Sequence, residues 1–433
     1  MRPTKGTVIL FHSHRAVSLP RAFQTLNVDA VISPNTSQAD DAHPGRWRAL
    51  ALLSVAELLG MSLWFAGSAV APQLRERWSL SGTEVGWLTT AVQLGFVGGT
   101  ALSAVFNLAD VISARRLFAS AAVLGAIANA WLAVAHGFPE AFASRFLAGA
   151  CLAGVYPPAM KMAATWFRAR RGLAVGTIVG ALTVGKAGPY LITALPGAGV
   201  AFITLLASAS AFAAAALVLI GYRDGPYAFE VRPFSWSLVE DVVRVPRWRL
   251  AMGGYLGHMA ELYSYWTWIP AFVAASAARD PHALTPSAST AVAVLSFSVI
   301  AVGGIGCIWG GLVADRIGRA PLVIRAMLIS GTCCALVGFA FGRSLWILAP
   351  IALVWGFFII ADSAQFSVLI TESVPPHAVG TALTLQVSLG FLLTTASIQI
   401  IPPLVRSAGW PWAFALLAAG PFVGIASIRR LGH

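Results

Sequence analysis

Seven ionisable side chains interrupt long apolar stretches of this sequence: Glu57, Arg145, Lys161, Lys186, His258, Glu261 and Asp362. A charge buried in such a stretch costs about 3 kcal/mol or more unless it is paired or hydrated. Three acids and three bases nearly cancel, as they must if they share a polar cavity. His258 and Glu261 are three apart and fall on one helix face. The same stretch carries Tyr255, Tyr263, Tyr265, Trp266 and Trp268. Such a set can hold a small charged molecule between aromatic walls and pass protons among carboxylates, with His258 as a tuning or relay group. The motifs of hydrolytic or nucleotide chemistry are missing from the sequence: H-E-x-x-H, G-x-S-x-G and a phosphate-binding Gly loop. No enzyme activity, cofactor or metal is therefore expected.

The elements that position these residues follow from solvent. Of the 433 residues, 58% are hydrophobic and 11% charged, whereas a soluble chain carries about 25% charged residues. Most of the surface must face lipid, where backbone groups are satisfied only inside helices or a closed barrel. A barrel strand alternates apolar and polar residues over about ten positions. Runs such as Val200 to Tyr222 are unbroken, so helices are expected. A ruler of about 20 apolar residues places twelve spans near 48–71, 85–106, 117–136, 140–164, 172–195, 200–222, 249–273, 290–311, 321–342, 345–370, 379–401 and 409–428.

The predicted fold is an all-α integral membrane protein, with twelve transmembrane helices in two pseudo-symmetric six-helix bundles. Residues 1–45 read as a flexible cytoplasmic extension, whose apolar stretch from Thr7 to Phe11 is too short for a signal-peptide core. The bundles occupy 46–222 and 248–433, joined by a solvated linker over 223–247. The net charge of +12 reads as membrane orientation rather than nucleic-acid binding. Arg46, Arg48, Arg115, Arg116, Arg168, Arg170, Arg171, Arg316, Arg319, Arg429 and Arg430 gather on one side, which puts both termini in the cytoplasm of a multi-pass inner-membrane protein. Cys151, Cys307, Cys333 and Cys334 all fall in spans and read as small packing residues. Trp47 and Trp248 read as headgroup-belt aromatics.

The halves repeat. Ala56-Glu57-Leu58 returns as Ala260-Glu261-Leu262 and Trp64 as Trp268, both at an offset of 204 (261 − 57 and 268 − 64). Gly176 and Gly380 keep it, as do Lys161 and Gln365, while Asp110 and Asp315 differ by 205. Parallel repeats of this kind are a transporter architecture, with substrate bound near the midplane between halves.

The sharpest local pattern is Gly311-Leu312-Val313-Ala314-Asp315-Arg316-Ile317-Gly318-Arg319. It resembles the loop signature G-x-x-x-D-R-x-G-R of the major facilitator superfamily. Its glycines allow a tight turn, and its aspartate can pair with the arginines and sit at a neighbouring helix N-terminus. The first-half copy keeps Asp110, Arg115 and Arg116 but has Phe106 and Ser113 where glycines are usual. The resemblance, which spans about Arg46 to Arg430, implies a cytoplasmic latch made of Asp110, Arg115, Gly311, Asp315, Arg316, Gly318 and Arg319. Arg145-Phe146-Leu147-Ala148-Gly149 is similar to the family's R-x-x-x-G motif. In the family such an arginine faces the cavity, while its depth here also allows it to snorkel outward. The family's cavity is lined by spans 1, 4, 7 and 10, which implies Glu57, Arg145, Lys161, His258, Glu261, Tyr263, Trp266, Asp362 and Gln365 as substrate and proton site candidates. Spans 2 and 8 lack the arginines of the nitrate porters that the chain broadly resembles, so nitrate is not expected.

The expected function is secondary transport of a small solute by alternating access, as proton-coupled symport of a small organic anion. Lys161, Arg145 and Lys186 would attract the anion, and Glu261 and Glu57 would carry protons. Export of amphipathic or cationic compounds is the alternative within transport. A transporter-like sensor or a membrane enzyme is the alternative outside it. The expected partners are the small-molecule substrate, protons and membrane lipids, with no nucleic acid, and the working unit is a monomer.

Overall fold

The computed structural model describes residues 43–106, 108–167, 171–227, 235–279 and 286–431. All but the last three residues of the expected extension over 1–45 lie outside the described residues, as do Arg168, Arg170 and residues 228–234 of the expected linker. The first half runs α1 (Arg46–Met61), α2 (Ala66–Ala69), α3 (Ala71–Trp78), α4 (Gly82–Val105), α5 (Leu108–Val111) and α6 (Ala114–Trp131). It continues with α7 (Phe138–Leu152), α8 (Tyr156–Ala164), α9 (Arg171–Ile192) and α10 (Val200–Gly221). The short α11 (Val239–Arg244) folds within the stretch read as a plain linker. The second half runs α12 (Pro246–Ala277), α13 (Pro286–Ile317), α14 (Arg319–Leu336), α15 (Leu345–Ala361) and α16 (Ser363–Ser373). It closes with α17 (Val379–Gln399), α18 (Ile401–Ala408), α19 (Trp410–Ala413) and α20 (Ala419–Leu431).

Among the described residues, nine helical runs are long and apolar enough to cross a membrane. Three further runs, α1 with α2, α7 with α8, and α12, bring the order to that of the twelve predicted spans, and they stand in places 1, 4 and 7. α1 and α7 stop after 16 and 15 residues, where the chain turns and restarts. α12 has the length, 32 residues, but much of it is histidine, glutamate, tyrosine and tryptophan. A helix that faces protein rather than lipid has no need of uniform hydrophobicity.

Local chemistry explains the breaks. α8 restarts on Tyr156-Pro157-Pro158, whose prolines have no N–H to continue α7 and suit a first helical turn. The span at place 10 breaks at Asp362, between α15 and α16. α4 begins cleanly because Ser81 and Glu84 form a reciprocal capping box.

The halves meet along two seams, α9 against α13 and α4 against α17. Within the first half, a Cβ on Gly185 of α9 would lie 2.1 Å from the Leu58 carbonyl oxygen of α1. Only glycine permits that approach, and it sets Lys186 beside the Glu57 turn. Trp248 is buried in the core, 3% exposed, and so is covered by protein where a headgroup-belt residue would face lipid; Trp47 is exposed. The four cysteines are free thiols, as their reading as packing residues requires.

Candidate functional site

A cavity of about 130 Å³ opens at the junction of the two halves. It is bordered by the three breaks: Met61 and Trp64 at the end of α1, Tyr156 at the start of α8, and Ile360 and Ser363 either side of Asp362. Discontinuous helices within a membrane span leave backbone groups unpaired, which is tolerated only beside a cavity or a protein partner. α9, α12 and α17 complete the wall, with Lys186, Tyr255, Tyr263, Trp266 and Phe391 among the lining residues.

Lys186 is the charged residue of that lining. It is 2% exposed and its Nζ donates to Tyr263 Oη at 2.9 Å. The same nitrogen stands 3.9 Å from the Trp64 ring centroid, 4.9 Å from Trp266 and 5.1 Å from Tyr263, where three ring faces favour a positive charge on it. The indole N–H groups of Trp64 and Trp266 are buried without a hydrogen-bond partner among the described residues. The wall is therefore rich in donors and has no carboxylate among its lining residues.

Glu57 lies behind this wall. It is fully buried, neither carboxylate oxygen has a hydrogen-bond partner among the described residues, and Lys186 is the cation whose field reaches it. Glu261, its repeat partner, is placed otherwise. Trp355 Nε1 donates to one oxygen at 2.7 Å and Ser330 Oγ to the other at 2.9 Å. Glu261 thus ties α12 to α15 and α14 inside the second half, away from the cavity lining. It shares a sequence face with His258, but not a ligand pocket.

His258 Nδ1 is 2.9 Å from Asp362 Oδ1, and both residues are 1% exposed. That oxygen is unmatched by any aligned N–H among the described residues, so the contact is close approach rather than a formed hydrogen bond, a distinction set by angle. It holds α12 against the α15–α16 break. Gln365 is buried on α16, outside the cavity lining.

Arg145 neither faces the cavity nor snorkels outward. It is completely buried, with Nη1 donating to Asn129 Oδ1 at 2.6 Å and Nη2 to the Leu63 and Trp64 carbonyls at 2.6 and 2.8 Å. Those carbonyls are the groups freed where α1 ends, so the guanidinium substitutes for the missing helical N–H donors. Gly67 is needed there, since a Cβ on it would lie 2.8 Å from Arg145 Cδ. Lys161 is half-buried in the last turn of α8, and its neighbour Met160, not Lys161, lines the cavity.

At the loop motif, Gly318 takes a φ of 89° between α13 and α14, a conformation suited to glycine. Arg319 pairs with Glu372 at the end of α16 at 2.8 Å, so its ionic partner lies on another span rather than at Asp315. Asp315 stands at the start of α9, where a Cβ on Gly172 would be 3.7 Å from its Oδ2. Gly311 also abuts Gly172, and Arg316 ends α13. Arg115 Nη1 reaches the Tyr222 carbonyl at 3.4 Å. The backbone of Asp110 lies in α5, and its side chain is outside the described residues.

Sequence reading passed over Asn129, Ser330, Trp355, Phe96 and Phe391, none of which is ionisable. It named Lys186 among the groups that would attract an anion but left it out of the substrate and proton site candidates. The signal for Lys186 was present: a lysine in mid-span, followed closely by Gly188-Pro189.

Two helical halves around a cavity bordered by broken helices have the architecture of a membrane transporter. The model of the Major Facilitator Superfamily matches residues 52–398, and the chain belongs to that superfamily. It is a multi-pass membrane protein and a secondary transporter. The crystal structure of the nucleoside transporter NupG, solved in a mutant form, superposes with a TM-score of 0.69 at 15% identity. The match covers 89% of this chain and 100% of that one. At that identity the likeness concerns the fold alone. No curated protein sequence matches the chain.

Proposed function

We propose that the protein is a proton-coupled symporter of a small organic anion, working by alternating access in the inner membrane with both termini in the cytoplasm. The observation that carries this reading is Lys186: one buried ammonium in a cavity wall that offers donors and no carboxylate. An anion entering the cavity replaces the hydration Lys186 lacks, and the low local dielectric strengthens the pairing. A cation meets the opposite situation, since the aromatic cage that would receive it already holds an ammonium. Glu57 is the proton carrier in this reading. It is electrostatically linked to Lys186 and has no hydrogen bond to surrender, whereas Glu261 is engaged by two donors and serves as a structural tie.

Alternating access is supported by the position of the seams. Gln93 meets Thr394 at 2.5 Å and Gln399 donates to Thr90 at 3.2 Å. Both contacts lie in the first half of α4 and the second half of α17, the end of the bundle away from the chain termini. The cavity extends the other way, to Met160, Val175 and Ser367. In the proposed orientation these two contacts lie at the outer end, and the cavity lining extends toward the inner end.

The test uses the purified protein in liposomes carrying a trapped pH dye. Wild-type vesicles should acidify on addition of a transported organic anion, Lys186→Met vesicles should not, and Glu57→Gln should bind the anion without accumulating it. Acidification by Lys186→Met at the wild-type rate removes the anchor and with it the reading. Alkalinisation of acid-loaded vesicles by a lipophilic cation favours exchange instead.

A further inference from the structure

We infer that the substrate is a monocarboxylate built on a single aromatic ring, a proposal that rests on Lys186 as the anion anchor. The cavity lining holds one cation and no acid, so it neutralises one negative charge. A second carboxylate on the substrate would be stranded among methionines and aromatic rings, an expensive place for an unpaired charge.

The donors suit a carboxylate in particular. Lys186 spends one N–H on Tyr263 and leaves two. In accepting from Lys186, the Tyr263 hydroxyl keeps its own proton to donate. The unpartnered indole N–H groups of Trp64 and Trp266 belong to the same wall. A carboxylate offers about four acceptor sites, which matches this surplus of donors; a neutral amide brings an acceptor but no charge for the ammonium.

The body of the ligand is set by the walls. Tyr263 meets Trp266 and Phe391 edge-on, with centroids 5.2 and 5.0 Å apart, and Phe391 lies 4.9 Å from Phe96. Rings arranged this way receive a flat ring edge-to-face or offset. Met61, Met160 and Met259 supply polarisable thioether contacts to it. Size sets the upper limit: the cavity measures about 130 Å³, against about 150 Å³ for an apolar protein cavity that accepts one benzene. One ring is the most it can enclose, and the carboxylate must lie against the Lys186 wall. Two fused rings exceed that space.

The experiment is direct binding of radiolabelled benzoate to the purified full-length protein in detergent, with unlabelled propionate, cyclohexanecarboxylate, phthalate and benzamide as competitors. Benzoate is expected to bind saturably. Cyclohexanecarboxylate should compete about 2- to 10-fold less well, the worth of aromatic contact at equal ring size. Propionate, phthalate and benzamide should each be weaker by more than about tenfold. Lys186→Met should abolish binding and Lys186→Arg should retain part of it; the wild-type panel decides the ligand class even if neither variant folds. Propionate or phthalate competing as well as benzoate overturns the aromatic monocarboxylate and leaves the anion reading standing. Benzamide competing as well as benzoate, or no saturable binding of any carboxylate by monodisperse wild-type protein, overturns both.

Discussion

Glu57 and Glu261 occupy the same place in the two repeats and live in opposite surroundings. Glu261 receives hydrogen bonds from Ser330 and Trp355. Moved back by the repeat offset of 204, those positions are Ala126 and Cys151, and neither can supply a strong donor. Glu57 is thus left with no hydrogen bond among the described residues and a lysine nearby. The reverse holds for Arg145, which stitches the first half together and whose counterpart at 349 is alanine. Each half has one buried charge tied by hydrogen bonds to neighbouring helices, but among the described residues the first alone has a further buried carboxylate within the field of a lysine at a ligand-sized cavity. Duplication supplied equivalent positions; later divergence at Ala126, Cys151, Ser330 and Trp355 separates a structural carboxylate from an exchangeable one.

Breaking this comparison starts with Arg145. Arg145→Met orphans the Leu63 and Trp64 carbonyls and Asn129 Oδ1, at about 1–3 kcal/mol for each buried group. A collapse of the melting temperature in detergent is expected; an unchanged melt means that the α1 break is held by something else. Next come the two glutamates. Glu261→Leu strands the Trp355 donor, with Ser330 keeping the Met327 carbonyl, and should cost about 1–3 kcal/mol. Glu57→Leu loses no hydrogen bond and should be near neutral or stabilising. Equal destabilisation of the two variants in parallel unfolding measurements erases the asymmetry.

Smaller effects sharpen it. Gly185→Ala forces α9 off the Leu58 carbonyl, an overpacking of about 1–3 kcal/mol, and should weaken anion binding because Lys186 moves with the helix. Unaltered binding alongside lowered stability would detach the lysine's position from that helix contact. Ser330→Ala removes one of two donors to Glu261 and should cost about 1 kcal/mol, readable as a melting shift with anion binding unaffected. A change in binding there ties Glu261 to the cavity after all.

The membrane fold was legible because lipid imposes a rule on each segment separately: long apolar runs must be helices, and their order survives in the structure, nine of them among the described residues as runs long and apolar enough to cross a membrane. The repeat and the loop motif were legible for the same reason, being patterns along the chain. The chemistry of each charge was not. Glu57 and Glu261 sit in identical tripeptides, Ala-Glu-Leu, yet what lies opposite them comes from helices about 70 to 100 residues away in sequence for Glu261. The sequence by itself determined a two-fold helical membrane transporter with scarce, buried charges. Only the tertiary structure decided that Arg145 caps a helix break, that Glu261 is a tie, and that Lys186 holds the cavity, since hydrogen-bond partners and cavity walls are properties of three-dimensional neighbours and not of spacing along a chain.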